Sequence, residues 1–174
     1  AIQQVGAICI PIYPTISHAD YEYIFNHSEA SIVFVTNKHL YNKVSDIIAS
    51  TPSIKDVYLI RASEGIKSLQ ELIDLGNENR DEAALEAAKA EVKNEDVATI
   101  IYTSGTMGTP KGVMLTHRNI LSVIEYLCPL YPIDETHDTI SYLPLSHIYE
   151  RTVQYCHVYL GCSTYYVDNL GAIV

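Results

Sequence analysis

Three short apolar runs, AICIPIY (7–13), SIVFVT (31–36) and DVYLI (56–60), are separated by stretches in which apolar residues recur every three or four positions. This alternation is the tightest constraint on the fold. Runs rich in β-branched residues suit buried strands, and helical spacing between them suits crossover helices. Ser17 stands three residues before Asp20 and predicts a capped helix over 18–27, with Tyr21, Ile24 and Phe25 on its apolar face. Asn37 predicts a second cap, followed by Leu40, Val44, Ile47 and Ile48 at helical spacing and by Pro52 as a stop. Residues 1–60 therefore read as β-α-β-α-β. The expected fold is α/β, with largely parallel sheets flanked by helices.

Residues 61–96 read as an acidic, mostly helical connector containing DEAALEAAKAEV. Residues 71–96 carry nine carboxylates against Arg80, Lys89 and Lys93, which is −6 of the chain's net −10. That pattern suits a solvated helical face and argues against nucleic-acid binding, which needs basic surface. From residue 97 the alternation resumes, with strands expected over 97–104, 111–115, 139–145 and 162–167. Helices are expected over 117–128, where Ile120, Ile124 and Leu127 share a face, and over 148–160, ending at Gly161. His117 and Arg118 fall at a helix start capped by Thr116. The four cysteines, Cys9, Cys128, Cys156 and Cys162, show no ligand spacing and read as free thiols without zinc. No apolar run approaches the ~18 residues of a membrane span. The opening AIQQVG resembles the last turn of a helix, so the chain is expected to be an internal fragment of a longer protein.

The stretch YTSGTMGTPKG (102–112) follows the strand 97–104. Gly105 and Lys111 have the spacing of the phosphate loop G-x-x-x-x-G-K-S/T, but Pro110 replaces the second glycine and Gly112 the final hydroxyl residue. Apolar, β-branched residues follow the lysine, so no helix N-terminus is expected there. What remains is strand, loop, strand. Backbone N–H groups freed by Gly105 and Gly108, the hydroxyls of Thr103, Ser104, Thr106 and Thr109, and the charge of Lys111 can together hold a polyphosphate. A tight hairpin rich in turn residues is the structural alternative; the surplus of hydroxyls and the single lysine weigh against it.

IIYTSGTMGTPKGVMLTHRNI (100–120) closely resembles the phosphate-binding loop of the AMP-forming acyl-adenylate synthetases, the AMP-binding enzymes that include acyl-CoA ligases, luciferases and adenylation domains. Met107 departs from the pattern, where the family usually has a small hydroxyl residue. YLPLSHIYERTVQY (142–155) resembles the family's next motif in the form typical of long-chain fatty acid–CoA ligases, and residues 6–35 resemble the segment upstream of the loop. The resemblance implies a partial N-terminal domain over 1–174, with the phosphate loop and acid site in 97–174.

The substrates it implies are a fatty acid, ATP and coenzyme A, with Mg²⁺. Lys111 and His147 are the implied catalytic residues. Thr103, Ser104, Gly105, Thr106, Gly108, Thr109 and Lys111 are implied for the nucleotide, Thr103 and Thr106 for the metal, and His147 and Tyr149 for the acid. Glu150 and Arg151 are read either as functional or as a local ion pair. The family's later motifs are not found in these residues, so the isolated chain is expected to be inactive. Another acyl-adenylate former and a non-catalytic nucleotide-binding module stay open as alternatives. The full-length protein is expected to be cytoplasmic, with peripheral membrane contact and oligomeric state left open.

Overall fold

The computed structural model describes residues 1–103 and 109–167. The chain divides into two units, one built on Pro14–Leu85 and including Lys111, the other on Ala1–Tyr13, Glu86–Thr103 and the segment from Gly112 onward.

In the unit built on Pro14–Leu85, local signals set the element ends. The Ser17 hydroxyl accepts the Asp20 N–H at 3.1 Å and starts α1 (His18–Ser28). Tyr21, Ile24 and Phe25 are its buried residues. β1 (Ile32–Val35) buries Val33 and Val35 and exposes Ile32 and Phe34, which alternate with them. Asn37 accepts the Leu40 N–H at 3.0 Å and starts α2 (Lys38–Ser50), which buries Val44 and Ile47. β2 (Asp56–Leu59) pairs parallel with β1, in register from Ile32 opposite Asp56 to Val35 opposite Leu59. Two parallel strands need a crossover connection, usually a helix, and here α2 fills it. Ser68 and Glu71 form a capping box at α3 (Leu69–Glu78), and α4 (Glu82–Glu91) completes the acidic helices.

The other unit opens with a 3-10 turn, Ile2–Val5, closed by Gly6 at φ 75°. The run 7–13 forms no strand. A single parallel bridge joins Cys9 to Thr99, made by Cys9 N–H to Ala98 O and Ile100 N–H to Cys9 O, both at 3.2 Å. Two residues on, where the next donor of a parallel ladder would stand, Pro11 has no N–H to give, so the ladder cannot continue in that direction. Apolar composition concealed this, because proline acts through the donor it lacks.

Thr99 lies in β3 (Val97–Thr103), which neighbours β4 (Lys111–Thr116) in a two-stranded sheet. At Gly112 a Cβ would sit 2.9 Å from Ile100 Cγ2 and 3.2 Å from Tyr102 Cζ, so glycine permits the close approach of the strands. Thr116 and Asn119 form a capping box that starts α5 (His117–Leu127). β5 (Asp138–Ser141), α6 (Ile148–Leu160) and β6 (Ser163–Tyr166) make a second parallel unit, with Asp138 opposite Ser163 and Ser141 opposite Tyr166. β5 is shorter than the expected 139–145; it stops before Pro144, which cannot donate to a ladder. Ile124, Cys128 and Cys156 are buried between α5 and α6, with Ile120, Leu127, Tyr155 and Leu160 packed around them. Among the described residues no helix is long and apolar enough to cross a membrane.

Candidate active site

β3 delivers Thr103 to its exposed end, and β4 begins at the exposed Lys111. Ser104, Gly105, Thr106, Met107 and Gly108 lie outside the described residues, while Thr109 is exposed just before Pro110. β4 runs on from Lys111 to Thr116, and only then does α5 start. The loop is therefore followed by a strand, as its residues predict, and a phosphate there would be held by loop donors and the ammonium and not by a helix N-terminus. Thr99 fixes β3 from beneath: fully buried, it donates through Oγ1 to Cys9 O at 2.6 Å.

His147 is the N-cap of α6, and its Nδ1 accepts the Tyr149 N–H at 3.2 Å. A ring nitrogen that accepts carries no proton, so the neutral imidazole bears its proton on Nε2, free to donate outward. The ring is exposed, and so is Tyr149 at 61%. The two residues assigned to the acid thus share one helix turn. The bend ahead of them is closed by the His147 N–H donating to Pro144 O at 2.9 Å.

Glu150 and Arg151 do not form the ion pair considered from the sequence. Glu150 is 4% exposed and accepts from the Ser141 hydroxyl at 2.6 Å. Arg151 donates from Nε to Leu145 O at 3.0 Å, and its Nη1 lies 3.9 Å from Cys9 Sγ. Ser141 and Leu145 went unnoticed in the sequence. A serine ending an apolar strand and a glutamate nine residues on were the available signal, but only the β5–α6 packing makes them partners.

Deeper in this unit, His157 Nδ1 lies 3.1 Å from Thr139 Oγ1, which also meets Thr164 Oγ1 at 3.0 Å. Burial holds the His157 pKa below its ordinary 6.5, although the Glu150 charge opposes the shift. Burial, together with a hydrogen bond to Cys128, pushes the Cys156 thiol up to about 12, so it is a core group and not a nucleophile. All four cysteines are free. Among the described residues no cluster of three or more His, Cys, Asp or Glu could hold a metal alone.

The family model for AMP-binding enzymes matches residues 1–172. The chain belongs to the AMP-binding enzyme family. Among curated members, the long-chain-fatty-acid–CoA ligase FadD15 of Mycobacterium bovis is 34% identical over 155 residues, 88% of this chain and 26% of that protein. The chloroplastic long-chain-fatty-acid–[acyl-carrier-protein] ligase AEE15 of Arabidopsis thaliana is 33% identical over 147 residues, 76% of this chain and 20% of that protein. The crystal structure of the long-chain-fatty-acid-CoA ligase FadD1 from Archaeoglobus fulgidus superposes with a TM-score of 0.77 at 30% identity, covering 92% of this chain and 30% of the other. The chain thus spans about a quarter or less of the length of these curated AMP-binding relatives.

Proposed function

We propose that this chain supplies the phosphate loop and one wall of the acid site of an AMP-forming long-chain fatty acid–CoA ligase. In the first half-reaction a fatty acid carboxylate oxygen attacks the α-phosphorus of ATP; the bond to the bridging oxygen breaks and pyrophosphate leaves, giving acyl-AMP. In the second, the thiol of coenzyme A attacks the acyl carbon, loses its proton, and AMP leaves.

The single observation that carries this reading is the capped, exposed His147. Its proton sits on Nε2 because Nδ1 is occupied by the Tyr149 N–H. A neutral donor of that kind suits a carboxylate, or the oxyanion formed from it. Tyr149 offers its exposed ring to the alkyl chain. Lys111, with Thr103, Ser104, Thr106, Thr109 and the N–H groups at Gly105 and Gly108, opposes the charge that gathers on departing pyrophosphate. The names of the relatives support the long-chain acid.

The exposed Thr103 hydroxyl is a hard oxygen donor and fits Mg²⁺, which takes few protein ligands and shares phosphate and water oxygens. Thr103 and Thr106 would hold it, and when bound it neutralises charge on the β- and γ-phosphates. The full-length protein works in the cytoplasm on this reading.

ATP–pyrophosphate exchange by the full-length protein tests it. Exchange dependent on palmitate is the expected result, and ATP binding without exchange would mark a non-catalytic nucleotide-binding module instead. The carrier-protein ligase among the relatives favours a second acceptor as the alternative. Incubating the acyl-adenylate formed with coenzyme A or with an acyl carrier protein separates the two.

A further inference from the structure

The bend that presents His147 is held at both ends from the first turn of α6. At one end the buried Glu150 carboxylate accepts the Ser141 hydroxyl at 2.6 Å, where β5 stops. At the other end the Arg151 guanidinium donates to Leu145 O at 3.0 Å, two residues before His147. Between these grips the segment 142–145 is exposed, with no side chain in the core. No buried side chain fixes the path of residues 142–145; besides the His147 N–H to Pro144 O bond that closes the bend, the two polar grips hold it.

A buried carboxylate is an expensive way to hold one serine. Carboxylates are almost never fully buried unless paired, and a neutral side chain could accept the same hydrogen bond. The position explains the tolerance: Glu150 lies in the first turn of α6, where the helix dipole favours a negative charge. Arg151 is half-buried and spends its Nε on a carbonyl where a carboxylate partner would be ordinary.

We propose that Glu150 and Arg151 are positioning residues that clamp Ser141 and Leu145 and so fix where the Nε2 proton of His147 is presented. The inference rests on the proposed role of His147 at the acid. A group displaced by about 1 Å loses on the order of 10²-fold in rate, so removing one of two grips is expected to lose about 10-fold.

The test is a double-mutant cycle in the full-length enzyme, with palmitate-dependent pyrophosphate exchange as the readout and the melting temperature measured alongside. Glu150→Gln keeps an acceptor and its shape, and should retain most of the activity. Glu150→Ala and Arg151→Lys should each lower kcat about 10-fold while the KM for ATP is unchanged. In a His147→Ala background the same substitutions should cost nothing further, because they act through a ring that is gone. Full losses that simply add to that of His147→Ala would show a structural role and overturn the proposal, as would unchanged kcat in both single variants. If Glu150→Ala does not fold, Arg151→Lys with His147→Ala still completes a cycle, and a Glu150→Gln enzyme that folds but loses kcat as fully as Arg151→Lys would overturn the role given to the Glu150 acceptor. A His147→Ala enzyme with undiminished exchange would instead overturn the reading of His147 itself, and this inference with it.

Discussion

The two units bury polar groups for different purposes. Among the described residues of the unit built on Pro14–Leu85, the buried polar ones are Thr51 and Ser68, and both serve their own helix ends. Thr51 donates to Ile47 O four residues back, and Ser68 caps α3 three residues ahead. In the other unit they are Thr99, Ser141, Glu150 and His157, and every one ties together segments that are separate in the fold. The Thr99 bond spans 90 positions of sequence, and the His157 bond spans 18. The first unit is a scaffold whose order is local and apolar. The second commits hydrogen bonds to holding strand ends in place, which is what a site needs and what stability alone does not require.

The comparison breaks most visibly at the scaffold core. Leu59 is fully buried, and Leu59→Ala should lower unfolding free energy by about 2–5 kcal/mol, read as a lower midpoint in urea. Exchange activity per folded molecule should stay at the parent level. Lys111→Ala should do the reverse. Loss of one charged donor costs about 2.7–4 kcal/mol of transition-state stabilisation, roughly 10²–10³ in exchange rate. Lys111 is exposed, so the urea midpoint should not move. A Lys111→Ala enzyme that is less stable but equally fast would show that the lysine serves the fold and not the phosphates.

Legibility in the sequence follows the same division. The caps at Ser17, Asn37 and Thr116 and the buried faces of α1 and α2 could be read because each depends on residues three or four apart. The run 7–13 misled because its apolar side chains outvoted Pro11, and strand pairing depends on partners far away in sequence. His147 and Tyr149 became candidates only through the motif that contains them; that His147 caps a helix, and therefore which nitrogen holds its proton, required the fold. The Ser141–Glu150 and Arg151–Leu145 grips were invisible because nothing in residue spacing says that a strand end and a helix start meet.

A smaller effect sharpens the comparison through pH. The folded chain holds the His157 pKa below 6.5, so on acidification the unfolded chain takes up that proton first. Stability is complete above the unfolded value of about 6.5 and declines as pH falls below it, down to the folded pKa. Melting temperatures at pH 7.5 and 5.5 should therefore differ less in His157→Gln than in the parent. An equal drop in both would mean that the proton is not taken up at this residue.

The smallest effects come from exchanging the two helix stops. α6 ends at Gly161, φ 76°, and α1 ends at Glu29, φ 51°, the one non-glycine residue with positive φ among those described. Left-handed backbone costs an L-residue roughly 1–2 kcal/mol, whereas glycine adopts it freely. Gly161→Ala should therefore destabilise by about 1–2 kcal/mol, and its new Cβ would also press on Glu135 Cβ at 3.2 Å. Glu29→Gly should stabilise, by less than that strain alone, because glycine also gains freedom in the unfolded chain; a few tenths of a kcal/mol is expected. Its helix stop keeps the same bond, Glu29 N–H to Asn26 O at 3.4 Å, whichever side chain is present. Gly161 closes the helix whose other end carries His147, so Gly161→Ala should also slow exchange if α6 transmits the shift along its length. Glu29→Gly should leave exchange untouched. Equal kinetic responses in the two variants would mean that strain at a helix stop does not distinguish the site unit from its scaffold.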